Sequence, residues 1–166
     1  MIKKIFYTLG ILFLAATAFG QTAQAPYLRF KNLPPAKFVT ADSTAWFIKN
    51  NVEKKKKVLI IVFSPECDHC QHETEELVKN IDRFKDIHIV MATVMPIWQM
   101  SAFIKNYGLN KYKNITVVKD PAYFLPTYYD IHSIPYHAFY DKDKKLITGF
   151  EGTMSVDKIL KTFETK

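Results

Sequence analysis

The stretch VLIIVFSPECDHC, residues 58–70, sets a run of apolar residues directly against a Cys-x-x-Cys pair. Residues 58–63 are β-branched or apolar throughout, the pattern of a central strand buried on both faces. Beyond the pair, residues 71–84 are apolar at Leu77, Val78, Ile81 and Phe84, which is helical spacing. Cys67 and Cys70 therefore fall where a buried strand gives way to the first turn of a helix. Free backbone N–H groups and the helix dipole stabilise an anion at such a point, so a thiolate at Cys67 is favoured. Cys70 is one turn further in. From there it can close a small disulfide with Cys67 or attack a mixed disulfide formed on it.

Working outward, residues 87–94 read as a second buried strand. Pro96 opens a helix that runs through Trp98 to Tyr107 and stops at Gly108. Residues 115–118 form a third strand, and 123–131 hold a short helix. Strands at 136–140 and 146–150 flank the charged turn Asp141-Lys142-Asp143-Lys144, and Ser155 caps a last helix over 156–163. Upstream, residues 38–40 suit a short strand, and Asp42 or Ser43 caps a helix through Trp46 to about Asn51. Residues 21–37, with Pro26, Pro34 and Pro35, read as an irregular lead-in to a single domain over 38–166. Alternating strands and helices predict an α/β fold with a parallel centre and an antiparallel edge.

The N-terminus has a separate purpose. Lys3 and Lys4 precede an apolar run, residues 5–19, broken only by Thr8, Gly10 and Thr17. This is the pattern of a secretory signal, and it is shorter than the roughly 18 residues of a spanning helix. Ala18-Phe19-Gly20 is the preferred cleavage site. Ala23-Gln24-Ala25 also fits, but it would leave Pro26 directly after the cut. The address implied is a bacterial periplasm or the cell exterior, where disulfides persist. The net charge is +7. It is concentrated in Lys54 to Lys57 and in Lys142, Lys144 and Lys145, which keep the surface solvated and offer peripheral contact with an anionic membrane. Nucleic acid is not an expected partner of an exported chain.

Four donors crowd the motif: Cys67, His69, Cys70 and His72. Haem attachment requires a histidine directly after the second cysteine, where Gln71 stands. A structural zinc site needs two more ligands. His69 is too close in sequence, His72 points elsewhere on the helix, and the chain has no second Cys-x-x-Cys. Copper held by both thiolates and one of His88, His132 or His137 stays open, as does a purely structural disulfide. Redox exchange is the reading that the strand–helix context favours.

The runs VLIIVFSPECDHCQHETEEL and SIPYHAFYDKDKKLITGFEG, followed by a terminal helix, resemble the thioredoxin superfamily and its exported TlpA/ResA-like thiol–disulfide oxidoreductases. The resemblance spans residues 38–163. It implies a thioredoxin-like fold: a central mixed β-sheet flanked by helices, with an extra helix–strand element over residues 96–120. It also implies Cys67 as nucleophile, Cys70 as resolving cysteine, and a substrate groove at Ile134 and Pro135, the latter a cis-proline. Protein thiols or disulfides and a redox-recycling partner follow as partners, with no bound cofactor and no metal. A copper chaperone or a non-catalytic binding module of the same fold is the alternative.

The departures from the family pattern matter. Ile61 stands where thioredoxins carry a buried aspartate, so the proton of Cys70 needs another acceptor: Glu73, Glu66 or water. Glu66 also replaces the tryptophan before the first cysteine. His69 precedes Cys70 as in the oxidising site of DsbA, at about −120 mV against about −270 mV for thioredoxin. Asp68 and Glu66 oppose its effect. Asp68, His69 and Glu73 are thus the residues expected to tune the pair to an intermediate potential.

Overall fold

The structure is a computed structural model that describes residues 24–164. The expected signal segment, residues 1–20, lies outside them. The strands are β1 (Lys37–Val39), β2 (Ala45–Phe47), β3 (Lys57–Val62), β4 (Ile87–Thr93), β5 (Ile115–Lys119), β6 (Tyr136–Tyr140) and β7 (Leu146–Glu151). The helices are α1 (Pro26–Arg29), α2 (Ile48–Asn51), α3 (Asp68–Lys79), α4 (Ile97–Tyr107), α5 (Phe124–Tyr129) and α6 (Val156–Thr162). One sheet holds the strands in the order β2-β1-β5-β4-β3-β6-β7. Its centre, β5-β4-β3, is parallel, and β6 and β7 complete one side antiparallel.

The apolar run of β3 explains the layering. Val58, Ile60 and Val62 belong to one core cluster, with Tyr128, Tyr129 and Leu125 of α5. Leu59, Ile61 and Phe63 belong to the other, with Leu77 of α3, Met100 and Phe103 of α4, and Ile159 of α6. A strand with helices on both faces gains at every position, by about 1.5–3 kcal/mol for each large side chain fully buried.

Three sequence expectations need correction. The helix expected from Asp42 or Ser43 to Asn51 is a strand followed by one helical turn. Trp46 pairs with Phe38 in an antiparallel β1–β2 ladder that closes the far edge of the sheet. Asp42 Oδ1 accepts the Thr44 N–H at 3.2 Å, and Ser43 takes a left-handed φ of 67°, so these residues close a turn and do not cap a helix. The helical spacing over residues 71–84 is not one helix: the helix that begins at the cysteines, at Asp68, stops at Lys79, and a 3₁₀ turn, Ile81–Phe84, follows. The lead-in contains α1 and a bridge from Asn32 to Lys145.

Lys54 to Lys57 and the lysines of the 141–145 turn lie together at one end of the molecule. Lys144 Nζ donates to the carbonyls of Glu53 (2.8 Å) and Lys56, which joins the 141–145 turn to the start of β3. Lys145 binds Asn32 at 2.7 Å and Lys57 binds the Phe163 carbonyl at 3.1 Å, while Lys54, Lys55 and Lys142 remain exposed. The cysteines lie beyond the other end of β3.

Candidate active site

Because β3, β4 and β5 run parallel, their carboxyl ends share one edge, and the loops there form the site. Phe63 N still donates to Ala92 O at 3.0 Å, so β3 is held in register up to the loop. The loop then turns tightly. Cys67 N donates to Ser64 O at 3.1 Å, and Gln71 Nε2 ties the helix back to Pro65 O at 2.8 Å. Across the edge, Gln99 Nε2 on α4 donates to Glu66 Oε1 at 2.6 Å.

Cys67 is the N-cap of α3. Its carbonyl accepts Gln71 N at 3.0 Å, and its sulfur accepts Cys70 N at 3.3 Å. A serine or aspartate oxygen usually has this position, and a thiolate accepts such a bond more strongly than a thiol does. Both cysteines are free. Cys67 is half-buried, Cys70 is buried, and the Cys70 thiol donates to Cys67 Sγ at 2.8 Å. Burial is the main force that pushes the Cys70 thiol well above its ordinary value; the Cys67 sulfur and Glu73 push the same way. Cys70 is thus kept as a thiol until something takes its proton.

Asp68 and His69 are exposed on the first turn of α3, beside the cysteine sulfurs in sequence. His72 is exposed as well. Glu73 is buried at 5% exposure. One carboxylate oxygen, Oε2, accepts the backbone N–H of Met154 at 2.9 Å, and the other, Oε1, is hydrogen-bonded to His137 Nε2. The Ile134–Pro135 bond is cis. Pro135, Cys70, Glu73 and Ile61 line one small pocket under the cysteines.

His137 is the site-adjacent residue whose partner the sequence did not reveal. On β6 the alternation places it with Phe139, facing α3 and α6, and directly opposite Ile61 in the β3–β6 ladder. The signal was a polar residue inside an otherwise apolar strand, which demands a buried partner.

The other histidines lie apart from the pair. His88 accepts Glu53 N at Nδ1 (3.2 Å) and is bonded through Nε2 to Thr116 Oγ1 (2.9 Å), at the start of the strands. His132 is exposed between Asp130 and Glu151. Among the described residues, no three His, Cys, Asp or Glu side chains converge to hold a metal ion. Tyr128 and Tyr129 are core residues, and Tyr129 and Tyr140 share a hydroxyl–hydroxyl bond of 2.6 Å; Tyr123 is exposed. No helix among the described residues is long and apolar enough to cross a membrane.

A central strand, a Cys-x-x-Cys pair at the N-terminus of the next helix, and a cis-proline facing it define a thioredoxin-like protein. Residues 47–166 match the thioredoxin-like domain family, and the chain belongs to it. Among solved structures it is similar to a secreted Mycobacterium tuberculosis disulfide oxidoreductase homologous to E. coli DsbE. That match has 18% identity and a TM-score of 0.65, over 78% of this chain and 95% of the other. It is also similar to the exposed lipoprotein thioredoxin Etrx1 of Streptococcus pneumoniae, with 26% identity and a TM-score of 0.57 over 77% and 96% of the two chains. StoA of Bacillus subtilis matches at 18% identity and a TM-score of 0.58, over 78% and 97%. No curated protein sequence matches the chain.

Proposed function

We propose that the chain is an exported thiol–disulfide oxidoreductase that acts on protein substrates through Cys67 and Cys70. One observation carries the reading: an accessible sulfur at the N-cap of α3 lies 2.8 Å from a buried thiol that burial keeps protonated. In the reducing direction, the Cys67 thiolate attacks a substrate disulfide. One substrate sulfur leaves as a thiolate, and the other stays bonded to Cys67. Cys70 then loses its proton and attacks Cys67 Sγ, which releases the second substrate thiolate and leaves a Cys67–Cys70 disulfide. Two electrons pass from the chain to the substrate, and a redox partner returns them. Run backward, the same steps oxidise a dithiol. Glu73 takes the Cys70 proton, Asp68 and His69 tune Cys67, and Ile134 and Pro135 border the substrate groove. The relative described as a secreted disulfide oxidoreductase supports both the chemistry and the location, and so does the signal-like pattern of residues 1–20.

Cys70→Ser tests this proposal. It leaves Cys67 to attack but nothing to resolve, so exported proteins accumulate as mixed disulfides on Cys67. A variant that traps none, in a chain whose reduced form binds copper stoichiometrically, would return the assignment to a copper chaperone or binding module. The exposed Lys54, Lys55 and Lys142 stand at the end away from Cys67 and support peripheral contact with an anionic membrane that leaves the site free. Salt-sensitive binding to anionic vesicles checks that contact; salt-insensitive or absent binding refutes it.

A further inference from the structure

The buried Cys70 thiol has no aspartate on β3 to receive its proton, because Ile61 fills that place. The missing polar group is supplied from the neighbouring strand. His137 stands across the ladder from Ile61, fully buried, and reaches Glu73 on the helix that carries Cys70. We propose that Glu73 and His137 act as one proton-accepting unit for Cys70, with His137 as its positioning residue, and that the proton leaves through the groove between α3 and α6. This rests on the reading of Cys67 and Cys70 as an exchange pair.

Three observations converge. Glu73 Oε2 accepts the Met154 N–H, and Oε1 is hydrogen-bonded to His137 Nε2, so both carboxylate oxygens are engaged. His137 Nδ1 is buried with no partner, among the rings of Phe139 (6.2 Å) and Phe150 (6.4 Å). The imidazole therefore has Glu73 as its one polar contact, and an arriving proton yields a mutually compensated pair instead of an isolated buried charge. Finally, Glu73 lines two adjoining spaces. One is the small pocket with Cys70 and Pro135; the other is a groove of about 480 Å³ that runs along α3 away from Cys67. A substrate lying across Cys67 leaves that groove open.

The charged groups that face the unit are few. From α3 they are Cys70, His72 and Glu76. The 3₁₀ turn brings Arg83 and α6 brings Asp157, and these two pair at 2.7 Å. From β3 and β7 the neighbours are Ile61 and Phe150, which are apolar. In the resolving step the Cys70 S–H bond breaks and the proton passes to the Glu73–His137 pair. The Cys70 sulfur bonds to Cys67, and the substrate sulfur departs with the electron pair of the broken disulfide.

An aromatic disulfide that releases a coloured thiolate, mixed with excess reduced chain, separates the two attacks. The first release reports Cys67 and the second reports Cys70. In H137Q the second release should slow by about tenfold or more at pH 7 and its pH profile should move, while the first stays within about twofold. The double variant E73Q/H137Q should be no slower than the slower single one, because the two residues act as a unit. A second release with unchanged rate and pH profile in H137Q, or multiplicative losses in the double variant, overturns the proposal. A second measurement needs no substitution. The His137 imidazole nitrogen resonances of the unaltered chain at pH 7 should differ between the dithiol and disulfide forms, and identical resonances overturn the proposal too. Absence of the first release from the unaltered chain would instead sink the exchange reading itself, so the two failures are distinguishable.

Discussion

Replacing Glu73 by alanine and by glutamine separates its structural work from its chemistry. Both carboxylate oxygens are engaged inside the protein, Oε1 with His137 and Oε2 with the Met154 N–H at 2.9 Å. Alanine removes both acceptors. It leaves the Met154 N–H unpaired and the His137 ring without a partner on either nitrogen, since Nδ1 already has none. At about 1–3 kcal/mol for each buried group left unsatisfied, the loss is about 2–6 kcal/mol. Native domains are stable by only about 5–15 kcal/mol, so this is a large fraction. Glutamine has nearly the same shape. Its carbonyl accepts from Met154, and its amide donates to His137 Nε2 once the imidazole proton sits on Nδ1, so the cost should stay within about 1 kcal/mol. Urea unfolding of the reduced chain at pH 7, followed by far-UV circular dichroism, reads both values. If the glutamine variant is as damaged as the alanine one, or alanine costs less than about 1 kcal/mol, the hydrogen-bond assignment of Glu73 is wrong.

Other consequences are equally direct. The Cys70 thiol is held above its unfolded value near 8.5. Its contribution to stability is thus complete below that pH and lost as pH rises further, by at most about 1.4 kcal/mol per pH unit. A Cys70→Ala variant should show a correspondingly shallower alkaline decline in urea unfolding, and an unchanged slope would contradict the shift. Burial lowers the His88 pKa, with Glu53 opposing. That contribution is present above about pH 6.5 and lost as pH falls, so His88→Gln should flatten the acid limb of the stability curve below that point. At Gly149, an added Cβ would clash with Tyr136 Oη and lie 3.0 Å from Cζ. Gly149→Ala should therefore cost about 1–3 kcal/mol. Tyr136→Phe removes that buried, unpartnered hydroxyl and should restore part of the loss; additive losses in the double-mutant cycle would refute the clash.

How far these features were legible in the sequence depended on how local their causes are. The run 58–63 announces β3 because a strand covered on both faces needs apolar residues at every position, and the structure buries Val58 to Phe63. Gly108 ends α4 in the left-handed conformation, and Ser155 caps α6 by accepting Lys158 N, both as their residue types suggest. The β1–β2 ladder was misread because Asp42 and Ser43 have side chains that close turns as readily as they cap helices. What decides between the two is pairing with β1, which three residues of periodicity cannot express. The N-terminus of α3 falls at the cysteines, where the strand–helix context puts it, although cysteine is not among the common N-caps; here the Cys67 sulfur performs that task. The partner of His137 lies 64 residues away on another element, and no local pattern encodes it.

Moving the buried polar group from β3 to β6 changes what that group can do. An aspartate at residue 61 would stand on the rigid centre of the sheet, apart from the helix that carries both cysteines. With Ile61 in its place, the polar work passes to a histidine that cannot act alone, because its Nδ1 is closed off and its Nε2 points at Glu73. Glu73 is one turn beyond Cys70 on α3, so thiol and acceptor belong to the same helix and move with it. The Met154 N–H, just before α6, and His137 on β6 then anchor that acceptor from two sides.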